Sequence, residues 1–260
     1  MAGRVEVRFD RSEDVDAKDV RREKFWRAGA DQSYGQGEFK LRVDSPSHRS
    51  GMNRPALIAL GIVGLIVALA IDMPVHRWIA SLSLKIEKKD YVQFLRSGGY
   101  FPMWLGLALA IALEDCRRAG HCSKASIQRG LELFSAVALA GILAELLKLI
   151  FRRERPKMSD GWYVFRSWSE RTFDAGGLSM PSSHALLAFA GAATLARFFP
   201  AAAPVIWLFA LGTATTRVLT GAHYVSDVYV AFLVGWIIST VINSLVQRRS
   251  NFVMPVVEQR

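Results

Sequence analysis

Six apolar runs follow one another between residues 55 and 246, and they constrain the chain more than any other feature. A helix of about 20 apolar residues is long enough to cross a bilayer, and only helices or closed barrels satisfy their own backbone there. The runs cover 55–71, closed by Asp72; 98–113, closed by Glu114 and Asp115; 130–151; 183–199; 201–216; and 224–246. The first two are short, which is tolerated where protein rather than lipid surrounds a helix. With 51% of the residues hydrophobic, a water-soluble fold would have to bury nearly everything. The expected fold class is therefore all-α: a polytopic membrane helix bundle with six transmembrane helices over residues 55–247, between a polar N-terminal tail (1–54) and a polar C-terminal tail (248–260). No internal repeat or low-complexity segment interrupts it.

The tails and loops exclude more than they assign. Residues 1–54 hold 12 Lys or Arg against 10 Asp or Glu and no apolar h-region, so no cleavable signal peptide is expected. Around Phe25 and Trp26, "EKFWRAG" fits a short interfacial helix or a solvated linker. Between the first two runs, "HRWIASLSLKIEKKDYVQFLRS" mixes apolar and charged positions at helical spacing and predicts a helix lying in the interface. The net charge of +10 would suit nucleic acid, anionic lipid or an anionic substrate. No basic stripe interleaved with exposed aromatics lies outside the membrane-like region, so nucleic acid is disfavoured as a partner. Cys116 and Cys122 share a charged loop with His121. They offer too few ligands for a closed zinc site and are expected as reduced thiols.

Alternating the spans brings the informative residues together. The end of the third run and the start of the fourth must emerge on one membrane face, as must the end of the fifth and the start of the sixth. The loops there carry "KLIFRRERP", "SMPSSHAL" and "TRVLTGAHYVSD", so the unusual polar clusters converge. Ionisable groups at membrane depth are costly, and a gathering of them is a functional signal. In a helical conformation Lys148, Arg152 and Arg155 would share one face, at i, i+4 and i+7. Lys148, Arg155 and Arg217 suit a phosphate, the arginines with paired donors. Ser182 and Ser183, after Pro181, stand at a helix start, where free N–H groups and the dipole favour an anion. His223 and Asp227 are four apart, so the carboxylate can hold one ring nitrogen and leave the other free as nucleophile or base.

Each feature also has a bland reading. His184 alone fits a helix cap, and Lys148 alone fits a pair with Glu145 one turn earlier. Arg152 and Arg153 fit lipid headgroup contacts. Two histidines, three cations and a helix-start serine pair on one face are improbable as independent accidents.

These residues resemble the type-2 phosphatidic acid phosphatase superfamily of integral-membrane lipid phosphatases, whose signature is K-x6-R-P, P-S-G-H and S-R-x5-H-x3-D. The chain has Lys148 to Pro156, Pro181 to His184 and Thr216 to Asp227 in that order and spacing, within a resemblance covering about residues 55–246. Ser183 stands where the family has glycine, and Thr216 where it has serine. The resemblance implies Lys148, Arg155, Ser182, the Ser183 backbone and Arg217 as a phosphate cradle. It implies His223 as nucleophile, Asp227 as its orienting partner and His184 as general acid, with a phosphohistidine intermediate. Fixed cations take the place of a metal, and no carboxylate cluster suits magnesium, so no cofactor is expected.

The expected partners are membrane lipids and a lipid phosphate substrate, such as undecaprenyl diphosphate, phosphatidylglycerophosphate, phosphatidic acid or the phosphates of lipid A. The loop "DGWYVFRSWSERTF" has five aromatics that suit an interfacial entrance. A lipid phosphotransferase is the nearest alternative, and a transporter or flippase with a cationic vestibule a more distant one. Oligomeric state is not legible. The Lys and Arg distribution gives little orientation bias once only the membrane-proximal part of the N-terminal tail is counted. The resemblance implies cytoplasmic termini and an active site on the extracytoplasmic face, in a bacterial inner membrane.

Overall fold

The computed structural model describes residues 53–158 and 162–253, all within the unit Met52–Arg260. The tail 1–52, with its Phe25 and Trp26 segment, lies outside the described residues, as do 254–260. Seven α-helices occur among the described residues: α1 Arg54–Ser81, α2 Asp90–Arg96, α3 Phe101–Ala119, α4 Gln128–Phe151, α5 Ser183–Phe198, α6 Ala203–Leu219 and α7 Val225–Val253. Only isolated β-bridges, Arg153 with Phe165 and Glu154 with Leu178, join segments of the loop between α4 and α5. The fold is all-helical.

Among the described residues four segments are long and apolar enough to cross a membrane: Pro55–Ser81, Gln128–Phe151, Pro200–Leu219 and Val225–Arg248. The remaining two predicted spans correspond to α3, whose last turns carry Glu114, Asp115, Arg117 and Arg118, and to α5, which has 16 residues. At 1.5 Å per residue α5 is about 24 Å long, short of a hydrocarbon core of roughly 30 Å. It is surrounded by protein instead. Every residue from Ala185 to Leu195 is buried, and its neighbours are α4, α6 and α7. Small residues allow this close approach. A side chain at Gly191 would collide with the indole of Trp104 from α3. By contrast α1 turns Ile58, Leu60, Ile62, Val63, Ile66 and Val67 outward. That apolar surface, unfavourable in water, is suited to lipid.

Several sequence expectations need correction. The first span does not close at Asp72; α1 runs through Asp72 and Pro74 to Ser81, because Asp72 is buried against partners rather than exposed at a helix end. The interfacial helix shrinks to α2, since His76 to Ser81 belong to α1. Residues 248–253 of the expected C-terminal tail continue α7. Cys116 and Cys122 form a disulfide rather than standing as thiols, because the reversal at Gly120, with φ of +72°, brings their Cα atoms to 4.7 Å.

The shared face of Lys148, Arg152 and Arg155 is also absent. Helix α4 ends at Phe151, and Arg152 adopts left-handed backbone with φ of 52°. Its guanidinium donates to the carbonyls of Arg166, at 3.1 Å, and Ser167, at 2.6 Å, beneath the α4–α5 loop. Nor do Arg152 and Arg153 face lipid headgroups, for both are 2% exposed.

Candidate active site

The ends of α4 and α6 and the starts of α5 and α7 meet, joined through the α4–α5 loop. The Arg155 amide donates to the Gly177 carbonyl at 3.1 Å, and the Ser179 amide to Arg153 at 2.7 Å. This folds the loop back so that Ser182 caps α5 beside α7, its amide 3.3 Å from the Asp227 carbonyl. The Arg217 carbonyl, at the end of α6, accepts from the amides of Ala222 and His223 at 3.1 and 3.2 Å. His223 therefore precedes α7, tied to Arg217 through the backbone. His184, in the first turn of α5, lies within electrostatic reach of Arg217, Arg96, His223 and Lys148. The eight sequence-selected residues thus gather at one end of the bundle.

The imidazole of His223 is held by a group that the sequence did not single out. Its Nδ1 is 2.8 Å from the carbonyl oxygen of Ser179, whereas Asp227 Oδ2 is 3.7 Å away and accepts from the Tyr224 amide at 2.8 Å. A carbonyl can only accept, so in the neutral ring Nδ1 carries the proton and Nε2 keeps its lone pair. Burial pushes the imidazole pKa below its ordinary value, and Asp227 opposes that shift.

Asp227 belongs to a buried network. Arg153 Nη1 is 3.3 Å from Asp227 Oδ1 and 2.8 Å from Ser226 Oγ, and Nη2 is 3.0 Å from Asp72 Oδ2 on α1. The guanidinium lies between the rings of Tyr163 and Tyr224, 4.2 and 4.0 Å from their centroids. Asp72 also accepts from the Ser226 amide and the Tyr163 hydroxyl, each at 2.8 Å. Burial, together with Asp72, pushes the Tyr163 phenol up to about 12, so it remains a donor. Sequence reasoning missed Asp72, Arg153 and Ser179. A charge inside an apolar run was the available signal for Asp72, whereas nothing marks a backbone carbonyl in advance.

Lys148 donates to Glu145 Oε1 at 2.8 Å, and Ser183 Oγ donates to the same oxygen at 2.9 Å. A cavity of about 340 Å³ is bordered by Arg96, Arg155, Lys157, Arg217 and Glu87. Around this region the buried atoms Ser179 Oγ, Ser182 Oγ, His184 Nε2, Arg217 Nε and Arg96 Nε have no hydrogen-bond partner among the described residues. An unmet buried polar group costs about 1–3 kcal/mol, so a cluster of them marks a place built for a polar ligand. Among the described residues no three His, Cys, Asp or Glu side chains assemble as a metal site. The aromatics Trp162, Tyr163, Phe165, Trp168 and Phe173 of the α4–α5 loop are exposed, and the Tyr163 hydroxyl reaches in to Asp72.

The sequence model of the PAP2 superfamily matches residues 129–251. A lipid A 1-phosphatase of Rhizobium etli is 35% identical over 106 residues, 41% of this chain and 45% of that protein. One of Rhizobium johnstonii is 34% identical over 106 residues, 41% of this chain and 43% of its own. The chain thus spans less than half the length of these curated relatives. The crystal structure of a transmembrane PAP2 type phosphatidylglycerolphosphate phosphatase from Bacillus subtilis aligns with a TM-score of 0.53 at 18% identity, covering 76% of this chain and 98% of that one. That likeness is one of fold. Its apolar outward faces make this an integral membrane protein, and its residues 129–251 are similar to the PAP2 superfamily.

Proposed function

We propose that this protein is a membrane lipid phosphatase that hydrolyses a phosphomonoester or diphosphate of a lipid through a phosphohistidine. The observation that carries the reading is the fixed tautomer of His223, with Nδ1–H on the Ser179 carbonyl and a free Nε2 among cations and unsatisfied buried donors. Lys148, Arg155, Ser182, the Ser183 amide and Arg217 hold the phosphoryl oxygens. Nε2 of His223 attacks phosphorus, the bond to the lipid oxygen breaks, and His184 delivers a proton to that oxygen. The bound phosphoryl dianion offsets the charge of Arg217, Arg96 and Lys148, the condition for His184 to hold the proton it donates. The phosphorylated ring is cationic, and the buried pair of carboxylates, Asp72 and Asp227, exceeds the charge of Arg153 and offsets it. Water, deprotonated by His184, then cleaves the P–N bond and frees phosphate.

Fixed cations supply the charge stabilisation that other phosphatases take from a metal, so the reaction is metal-independent. An apolar cavity of about 470 Å³ lies between α1, α5, α6 and α7, lined by Trp78, Phe189, Val218, Val225 and Phe232. Val218 and Val225 adjoin the cluster in sequence, which supports a hydrocarbon chain as the other half of the substrate. The lipid A named for the Rhizobium relatives is one candidate. Six spans are supported by the alternation of α1, α3, α4, α5, α6 and α7, with α5 shielded by its neighbours; the termini are cytoplasmic and the site extracytoplasmic. Purified protein incubated with lipid phosphates in EDTA tests the reading. Release of inorganic phosphate supports it; phosphate moving only between lipids would make the protein a transferase; no turnover until magnesium is restored would remove the metal-free mechanism.

A further inference from the structure

The candidate phosphate cradle contains an anion of its own. Glu145 stands in the last two turns of α4, inside the apolar segment Gln128–Phe151, with Ile142, Leu146 and Ile150 turned outward around it. An ionised group at membrane depth is costly, and one that is kept there marks a function. Two groups of the site hold it. Lys148 Nζ donates to Glu145 Oε1 at 2.8 Å, and Ser183 Oγ donates to the same atom at 2.9 Å. Arg155 lies within electrostatic reach.

The two members of the ion pair differ in burial. The Lys148 side chain is 8% exposed, so without a counter-ion it would be an uncompensated buried charge, whereas Glu145 is 53% exposed and has room to turn outward. Oε1 sits between an ammonium and a hydroxyl at the start of α5, and so receives the donors that a phosphoryl oxygen would receive there. The hydroxyl is an addition of this chain, because the glycine of the signature would leave Lys148 as the only one of the two donors. A phosphoryl group entering the cradle brings about −1.5 to −2 of charge at neutral pH, more than the carboxylate offers. The two anions repel each other and hold Lys148 in turn.

We propose that Glu145 is a positioning residue acting through Lys148: its carboxylate, guided by the Ser183 hydroxyl, exchanges with the phosphoryl group on Lys148 and loosens the hold of the cradle on product phosphate. The proposal rests on the phosphatase reading, which places Lys148 in the cradle. The exchange opposes the binding of substrate and product alike, so it raises KM and keeps the site from being blocked by the phosphate it frees. No covalent bond changes. The charge of Lys148 is answered by the phosphoryl group while the site is full and by Glu145 when it is empty.

The test uses the whole protein in detergent micelles, with one lipid phosphate as substrate and inorganic phosphate as inhibitor. Glu145→Gln keeps the size of the side chain and removes its charge. It should lower both KM and the inhibition constant of phosphate by about 5- to 20-fold, a fraction of what two unit charges in contact exert near a protein surface, and kcat should not rise. A residue that only fixed Lys148 in place would do the reverse. Raised or unchanged constants, or a raised kcat, therefore overturn the proposal. Ser183→Ala, which keeps the backbone amide, should lower the inhibition constant by about two- to threefold and have no further effect in the Glu145→Gln background. The thermal midpoint supplies a reading independent of turnover. Glu145→Gln should unfold earlier than wild type without phosphate and gain more from added phosphate than wild type does; an equal or smaller gain overturns the proposal. A wild type that phosphate stabilises but that frees phosphate from no lipid overturns the phosphatase reading, and the midpoints then decide the exchange at Lys148.

Discussion

Arg153 on the α4–α5 loop and Asp72 in the middle of α1 form a buried ion pair, with Nη2 3.0 Å from Oδ2 and both side chains at most 3% exposed. The pair ties α1, the least buried of the four long apolar segments among the described residues, to the start of α7 where Asp227 and His223 stand. Removing one partner of a buried pair leaves an uncompensated charge, a loss of about 3–5 kcal/mol. Asp72→Ala and Arg153→Ala should therefore lower the thermal midpoint in detergent sharply. Asp72→Asn, which retains an acceptor for Ser226 and Tyr163, should unfold later than Asp72→Ala yet turn over more slowly than wild type. Equal midpoints for wild type and Asp72→Ala would show that the pair does not anchor α1.

The acid limb of activity reports on His223. As the proposed nucleophile His223 must be neutral, and burial lowers its pKa, so it stays neutral below the usual imidazole value. The fall in kcat/KM assigned to this group should then lie below pH about 6.5. Asp227 raises the pKa against burial, so Asp227→Asn should move the limb further down while reducing turnover. Phosphate monoesters titrate near pH 6 themselves, so the informative quantity is the shift between variant and wild type on one substrate. A limb that moves upward in Asp227→Asn contradicts the assignment.

The two histidines separate by the step proposed for each. His223→Ala should form no phosphoenzyme and lose activity by several orders of magnitude. His184→Ala should lose about 10²–10⁴-fold on a lipid phosphate and much less on a nitrophenyl phosphate, whose leaving group needs little protonation. Rapid-quench trapping of acid-labile phosphohistidine decides it: label persisting in His223→Ala, or vanishing from His184→Ala with the activated substrate, reverses the roles.

Gly99 and Gly191 make paired probes. A methyl at Gly99 would meet the His184 ring, and one at Gly191 would meet the Trp104 indole. Gly191→Ala should cost about 1–3 kcal/mol by overpacking α3 against α5, seen as a lower midpoint with kcat retained in the folded fraction. Gly99→Ala should instead lower kcat on lipid phosphates, with a smaller effect on nitrophenyl phosphate, because it displaces the proposed proton donor His184. If the two variants show the same pattern, His184 has no special dependence on its contact with Gly99.

The sequence by itself determined the helical class, most of the places where the chain turns and the residues that carry charge into apolar surroundings. These are local properties: helix length against bilayer thickness, and the cost of an ion beside a run of leucines. Lys148, Arg155, Ser182, Ser183, His184, Arg217, His223 and Asp227 were legible because three spaced motifs bracket alternating spans. Tertiary structure decided what each motif residue touches. Arg152 and Arg153 are adjacent, yet the left-handed turn at Arg152 sends one beneath a loop and the other to Asp72, 81 positions away. The carbonyl of Ser179, not Asp227, lies nearest the His223 proton, and Arg96 enters the site from a helix with no motif. Side-chain spacing records the partners within one element, while backbone acceptors and cations from distant helices come into reach only when the bundle has packed.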